Sequence, residues 1–254
     1  MREVSPRLAQ CELTYLRRAP IDAQLARRQH ARYSAELTAL GCRLGWLTPL
    51  PAHADGVFVE DTAVVLPEVA VITRPGAASR RPEVESAAAA LAPHRPVRRI
   101  TEPGCLEGGD VLHIGRTLYV GASGRTNAEG IRQLAAALAP FGYQVRGVAL
   151  RDCLHLKSAC TFIPPDSLLV NPAWVDPQEF GARLLIPVAE GEAFAANSLT
   201  VRGVTLVSAA FPRTQRRLEE AGVATRAVDV SELHKAESAL TCMSLLVEPP
   251  APDR

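Results

Sequence analysis

Val111-Leu112-His113-Ile114-Gly115-Arg116-Thr117-Leu118-Tyr119-Val120 reads as two short apolar strands folded back on each other at a Gly115-Arg116 turn. A helix-period stretch from Asn127 to Leu138 follows, and then a third strand from Tyr143 to Val148. This unit of two strands, a helix and a strand recurs along the chain. Val57 to Glu60 and Ala63 to Leu66 lead to Val69 to Thr73, a helix from about Pro82 to Leu91 and a strand Val97 to Ile100. Ala159 to Ile163 and Ser167 to Val170 flank Pro164-Pro165-Asp166, before a short helix near Pro177 and a strand from residue 183 to Val188. Ser198 to Val201 and Val204 to Val207 flank Arg202-Gly203, before a helix from Pro212 to Ala221 and a strand Thr225 to Val230.

The second strands are expected to begin near residues 63, 117, 167 and 204, a spacing that belongs to radial arrays. An amphipathic segment from about Ile21 to Leu40 stands before them. Glu12 to Arg17 and Cys242 to Val247, the latter read as a buried closing strand, would supply a further unit divided between the chain ends. The expectation is an α/β fold of ββαβ repeats closed around an axis, a single domain over 1–254 that frays from about Glu248.

Composition limits the partners. The formal net charge is +1 and the basic residues are scattered, so no footprint for nucleic acid or an anionic membrane is present. No apolar run follows Met1-Arg2-Glu3-Val4-Ser5-Pro6 and none reaches about 18 residues, so the expected location is the cytoplasm. Six cysteines lie far apart without Cys-x-x-Cys spacing, which points to reduced thiols. Cys153 lies near His155, yet no second pair completes four ligands, so neither a metal nor another cofactor is expected. A homodimer is left open.

Equivalent leading positions of the repeats should face the axis, and they carry Glu60, Asp61, Asp110, Ser158, Asn197 and Cys242. Burying unpaired carboxylates is strongly unfavourable, so a polar axis implies a ligand that offsets the cost. A guanidinium offers five donors in a fork that matches carboxylates. A thiolate beside its electron-poor carbon can attack, while a histidine protonates the departing amine and then takes a proton from water. The product is a ureido group.

Gly56-Val57-Phe58-Val59-Glu60-Asp61-Thr62, Thr73-Arg74-Pro75-Gly76-Ala77, Ser79-Arg80-Arg81, Glu107-Gly108-Gly109-Asp110, Gly124-Arg125-Thr126-Asn127, His155-Leu156-Lys157-Ser158 and Leu240-Thr241-Cys242 together resemble the dimethylarginine dimethylaminohydrolase family, in matching order from roughly Arg28 to Val247. The resemblance implies the five-bladed αβ-propeller, or pentein, of the guanidino-group-modifying enzymes. It implies hydrolysis of Nω-methylated arginines to citrulline and methylamines through a thiouronium on cysteine, without cofactor. By motif, Cys242 resembles the nucleophile, His155 the general acid and base, and Glu107 the carboxylate that orients His155 and holds the guanidinium. Asp61 with Glu60 resembles the guanidinium clamp, Asp55 a substrate contact, Arg80 and Arg125 the grip on the α-carboxylate, and Ala236 the carbonyl that receives the α-ammonium.

Two departures from the family pattern stand out. The region between Thr14 and Arg27 is shorter than the flap of animal members, and Ala236-Glu237-Ser238 replaces an aspartate-glycine sequence before the cysteine. The rivals are arginine deiminase, amidinotransferase and a non-catalytic binding propeller. The first two typically place an aspartate where this chain has Lys157, and deiminases carry an inserted helical domain for which it has no room. A polar axis with Cys242 weighs against the third.

Overall fold

Residues 1–182 and 184–248 are described by the structure, a computed structural model. Helix α1 (Ala23–Ala39) opens on Asp22, whose carboxylate accepts the N–H groups of Gln24 and Leu25 and so satisfies two of the donors left free at a helix start. Its inward face carries Ala26, His30, Tyr33 and Leu37, at helical spacing.

Four three-stranded sheets follow, each built alike. The first contains β1 (Ala63–Val65), β2 (Ala70–Ile72), helix α2 (Val84–Leu91) and β3 (Val97–Arg99). The second contains β4 (Val111–Ile114), β5 (Thr117–Ala122), helix α3 (Ala128–Leu138) and β6 (Gln144–Ala149). A single helical turn, α4 (Leu156–Ala159), introduces the third, made of β7 (Cys160–Ile163), β8 (Ser167–Val170) and β9 (Leu184–Pro187). The fourth contains β10 (Leu199–Val201), β11 (Val204–Ser208), helix α5 (Pro212–Glu220) and β12 (Thr225–Val228), with helical turn α6 (Ser231–His234) after it. In every sheet a hairpin pairs strands one and two antiparallel, and strand three joins strand two in parallel. A parallel partner can be reached only by a crossover. The segments holding α2, α3, α5 and the 3₁₀ turn Pro177–Phe180 supply it.

The core lies in wedges between neighbouring blades. Leu66, Val71, Leu118 and Leu134 fill the first, Tyr119, Leu156, Leu168 and Phe180 the second, and Ile163, Leu169, Val207 and Leu218 the third. A fourth wedge draws the chain ends together: Leu8 and Tyr33 pack with Leu206, Val230, Leu240 and Met243. Each fully buried leucine of this kind contributes roughly 1.5–3 kcal/mol relative to exposure.

Four sequence expectations need correction. Val57 to Glu60 is no strand: Val59–Thr62 is a 3₁₀ turn, and the middle strand of the first blade begins at Ala70 rather than Ala63. Neither Glu12 to Arg17 nor Cys242 to Val247 forms a strand. Thr241–Met243 is a 3₁₀ turn that buries Met243, while Leu246 and Val247 are 41% and 43% exposed, so the end of the apolar run lies on the surface rather than in a sheet. The expected third strand of the third blade included residue 183, which lies outside the described residues, as does the tail beyond Glu248.

The fivefold order is carried instead by one helical turn per unit at the axis: Val59–Thr62, Gly108–Asp110, α4, Ala193–Ala196 and Thr241–Met243. The first four pack each on the next, and Thr241–Met243 packs back on Val59–Thr62. Side chains stitch the ring: Asp61 accepts the Gly109 N–H at 3.0 Å, Asp110 accepts the Leu156 N–H at 3.0 Å, and Asn197 donates to the Lys157 carbonyl at 3.0 Å. Asn197 also accepts the Thr241 N–H at 3.0 Å, and the Thr241 hydroxyl donates to Glu60 at 2.6 Å. The last bond returns the ring to its start, so the carboxyl-terminal turn with Cys242 closes the propeller.

Candidate active site

His155 precedes α4 in extended backbone, which sends its ring back across the axis to Glu107. The imidazole Nε2 meets Glu107 Oε2 at 2.7 Å and lies 4.0 Å from Asp61 Oδ1. Glu107 has no solvent exposure; its N–H is held by the Thr126 hydroxyl at 3.1 Å, and its other oxygen accepts the Gly76 N–H at 3.1 Å. The two glycines after it are demanded by packing. A Cβ on Gly108 would stand 1.9 Å from the Glu60 carbonyl oxygen, and one on Gly109 would stand 2.6 Å from His155 Nδ1. Only bare backbone lets the Glu107 turn pass beneath the Glu60 turn and the imidazole ring.

Cys242, partly buried, accepts the Ala239 N–H at 3.4 Å. It shares a cavity of about 20 Å³ with Asp55, Asp61, Arg80, Glu107, Arg125, His155 and Ala236, together with Glu12, Glu237 and Ser238. Eight of the nine residues expected from sequence are thus brought together. The exception is Glu60, which lines a different cavity and is engaged there by Lys157 Nζ at 2.5 Å and by Thr241.

The two arginines differ in kind. Arg80 is 5% exposed and committed to protein partners: Asp61 at 2.6 Å, Glu83 at 3.0 Å and the carbonyl of Phe58 at 2.9 Å. Arg125 is looser, 3.7 Å from Glu107 and bonded to the Thr14 hydroxyl at 3.0 Å.

Sequence reading missed the closure of the site. The Glu237 carboxylate accepts the backbone N–H groups of Thr14, Tyr15 and Leu16, Asp55 accepts that of Glu12 at 3.1 Å, and Ser79 bonds the Glu12 side chain at 2.6 Å. Glu237 takes up φ +52°, a left-handed conformation unusual outside glycine. Its signal in the sequence was the replacement of an aspartate-glycine pair, visible as a departure but not as a latch. Asp110 is a second support: it accepts the hydroxyls of Ser123 at 2.6 Å and Thr126 at 2.7 Å and so ties the Glu107 segment to the His155 segment.

Charge follows from burial. Burial pushes the Cys242 thiol up, Glu60 and Asp61 add to it, and the result is about 12. Burial disfavours the His155 imidazolium, but Asp61, Asp110 and Glu107 outweigh it and raise the ring to about 9. Asp55 is raised to about 6, chiefly by burial. Burial also opposes ionisation of Asp61, yet His155 and Arg80 hold it below the usual carboxylate range. At neutral pH the site therefore pairs an imidazolium with a neutral thiol. Among the described residues, Asp61, Glu107 and His155 bring metal-ligating atoms within 4.8 Å of one another; the closest pair of these atoms is the hydrogen bond between His155 and Glu107. All six cysteines are free, and no helix of the described residues is long and apolar enough to cross a membrane.

The sequence model of the family described as arginine deiminase matches residues 25–194. The chain is 42% identical over 250 residues to the N(G),N(G)-dimethylarginine dimethylaminohydrolase of Streptomyces coelicolor, covering 96% of this chain and 95% of that protein. It is 36% identical over 226 residues to the enzyme of the same name from Pseudomonas aeruginosa, covering 88% and 89%. A solved structure of the Pseudomonas aeruginosa protein, a cysteine-to-serine variant complexed with citrulline, superposes with a TM-score of 0.89 at 33% identity and 95% coverage of both chains.

Proposed function

Because the chain belongs to the dimethylarginine dimethylaminohydrolases, within the wider arginine deiminase family, we propose that it hydrolyses Nω-methylated L-arginines to citrulline and the methylamine through a thiouronium on Cys242. The observation that supports this reading is the single small cavity holding Cys242, the His155–Glu107 pair and Asp61, with Arg125 and Asp55 beside them.

The proposed roles follow from charge. Asp61 and Glu107 hold the guanidinium cation, whose arrival opposes the carboxylates that keep the thiol neutral, so the Cys242 thiol releases its proton to solvent as substrate enters and stands as the thiolate. The thiolate attacks the guanidinium carbon, and the His155 imidazolium delivers its proton to the departing amine. Neutral His155 then takes a proton from water, which hydrolyses the thiouronium. Arg125 is the principal grip on the α-carboxylate. Arg80 adds charge while bracing Asp61. Asp55 and the Ala236 carbonyl receive the α-ammonium. A cavity of about 20 Å³ holds roughly one water, so the segment around Thr14–Leu16 must swing away from Glu237 to admit an amino acid.

The family description favours one other reading, deimination of free arginine. Lys157 weighs against it: its charge is spent on Glu60, leaving no extra carboxylate for unsubstituted nitrogens. Incubation of the purified protein with Nω,Nω-dimethylarginine, Nω-methylarginine and arginine, with citrulline assayed, tests both. Faster turnover of free arginine than of either methylated form would replace the first reading with the second. A homodimer and a cytoplasmic location are proposals of the same standing, checked by sedimentation and by fractionation.

A further inference from the structure

We propose that a second cavity beside Cys242 is the subsite for the substituent on the leaving nitrogen, and that it admits alkyl groups larger than methyl; the inference rests on the hydrolytic reading above. This cavity, of about 290 Å³, meets the small one at Cys242, Leu154, Glu237 and Ser238. The residues between the thiol and the surface are mainly apolar: Cys153, Leu154, Phe194, Ala210, Phe211 and Ala239. Tyr15 and Leu16, held by Glu237, also line it.

Two ionisable groups in its wall, His234 and Glu237, are already used. His234 Nε2 pairs with the Ser208 hydroxyl at 2.8 Å and Nδ1 with the Ser238 carbonyl at 2.8 Å, and burial lowers its pKa, which leaves the ring neutral. Glu237 is occupied by three backbone N–H groups. Asp152, exposed to solvent, is the remaining carboxylate of the wall, and the cavity offers no free cation for a carboxylate.

A guanidinium carbon bound to Cys242 carries three nitrogens. One leads to the amino-acid chain and one is held by carboxylates, both on the side of the small cavity once movement of the Thr14–Leu16 segment has enlarged it. The third bears alkyl groups that cannot accept a hydrogen bond from their surroundings or donate one, so they belong on apolar surface. Leu154 lines both cavities and precedes His155, so a nitrogen within reach of the imidazole can lay its substituent across Leu154 into the apolar space. A butyl group, taken as four water-sized methylenes at roughly 30 Å³ each, needs roughly 120 Å³. The cavity exceeds that.

The test compares kcat/KM for Nω-methyl-, Nω-propyl- and Nω-butyl-L-arginine, read as citrulline. The butyl compound is expected to be turned over by the wild-type protein. Ala210→Trp, at the exposed mouth, should lower the butyl-to-methyl ratio of kcat/KM by about tenfold or more, in the range by which apolar pockets discriminate methylenes, and Phe194→Ala should raise that ratio. Turnover of the methyl but not the butyl compound, or a ratio unmoved by both variants, overturns the subsite while leaving the hydrolytic reading standing. If no methylated arginine is turned over, the hydrolytic reading falls and the subsite falls with it.

Discussion

Lys157 Nζ lies 2.5 Å from Glu60 Oε1, and the two side chains span the axis from the third blade to the first. The pair stands in a cavity that does not contain Cys242, so it joins blades rather than facing the thiol. Glu60 is buried and Lys157 partly so, and removing the cation leaves Glu60 with the Thr241 hydroxyl alone, at a cost of about 1–3 kcal/mol, below that of a fully buried pair. Lys157→Met should therefore lower the stability measured by urea unfolding by an amount of that order. The double variant Lys157→Met with Glu60→Gln should recover most of it; equal losses in the single and double variants would show that the pair carries no coupling.

Arg80 and Arg125 should separate. Arg80→Ala leaves Asp61 and Glu83 without their cation, so its main effect is expected in unfolding midpoint. Arg125→Ala should keep the midpoint near wild type and raise KM, by a factor corresponding to about 2–5 kcal/mol if the substrate carboxylate is bound there. Amidation of that carboxylate should erase the difference between Arg125→Ala and wild type. A normal KM in Arg125→Ala would move the carboxylate site elsewhere.

For pH, kcat/KM reports groups of the free protein. The attacking state needs the Cys242 thiolate and the His155 imidazolium together, whereas the free protein at neutral pH holds the thiol and the imidazolium, so kcat/KM should rise with pH as the thiol proton is lost more readily and level off where His155 itself titrates, at about 9. Asp55 must be ionised to hold an α-ammonium and titrates at about 6, so activity should fall as pH drops below it. Asp110 also titrates at about 6, and Asp55→Asn tells the two apart: the acid limb persists only if Asp110 sets it.

Cys242→Ser should abolish turnover with the fold retained, and quenched wild-type protein should carry a substrate adduct on Cys242 by mass spectrometry. Cys153, pushed up to about 12 by burial, and Cys160, also raised by burial, should stay unmodified. His155→Gly, given S-methylthiocitrulline, whose leaving group needs no proton, should accumulate that adduct. Steady wild-type turnover by the variant would remove His155 from the proposed role.

The sequence by itself determined the repeat of the second to fourth blades and named eight residues that line the small cavity. Strand pairs flanking Gly115-Arg116 and Arg202-Gly203 were legible because turn residues and apolar alternation act locally. The helix expected from Asn127 to Leu138 was legible from its apolar period, and Asn127 proves to be its cap, accepting the Gly130 N–H. Glu107, His155 and Cys242 were legible as an ordered set of motifs. Tertiary structure alone decided the rest. The axis is built from single helical turns, too short to show a period, and each is fixed by a side chain from another unit, as Thr241 is by Asn197. Cys242 to Val247 looked like a strand, yet strands exist only where another strand supplies hydrogen bonds, and the closing unit supplies none. Glu60 and Asp61 are adjacent in sequence and identical in charge, but one turn of backbone sends them into different cavities, where Lys157 claims the first and Arg80 with His155 the second. Which carboxylate faces the thiol is a matter of where the chain's distant cations arrive, and no local pattern carries that.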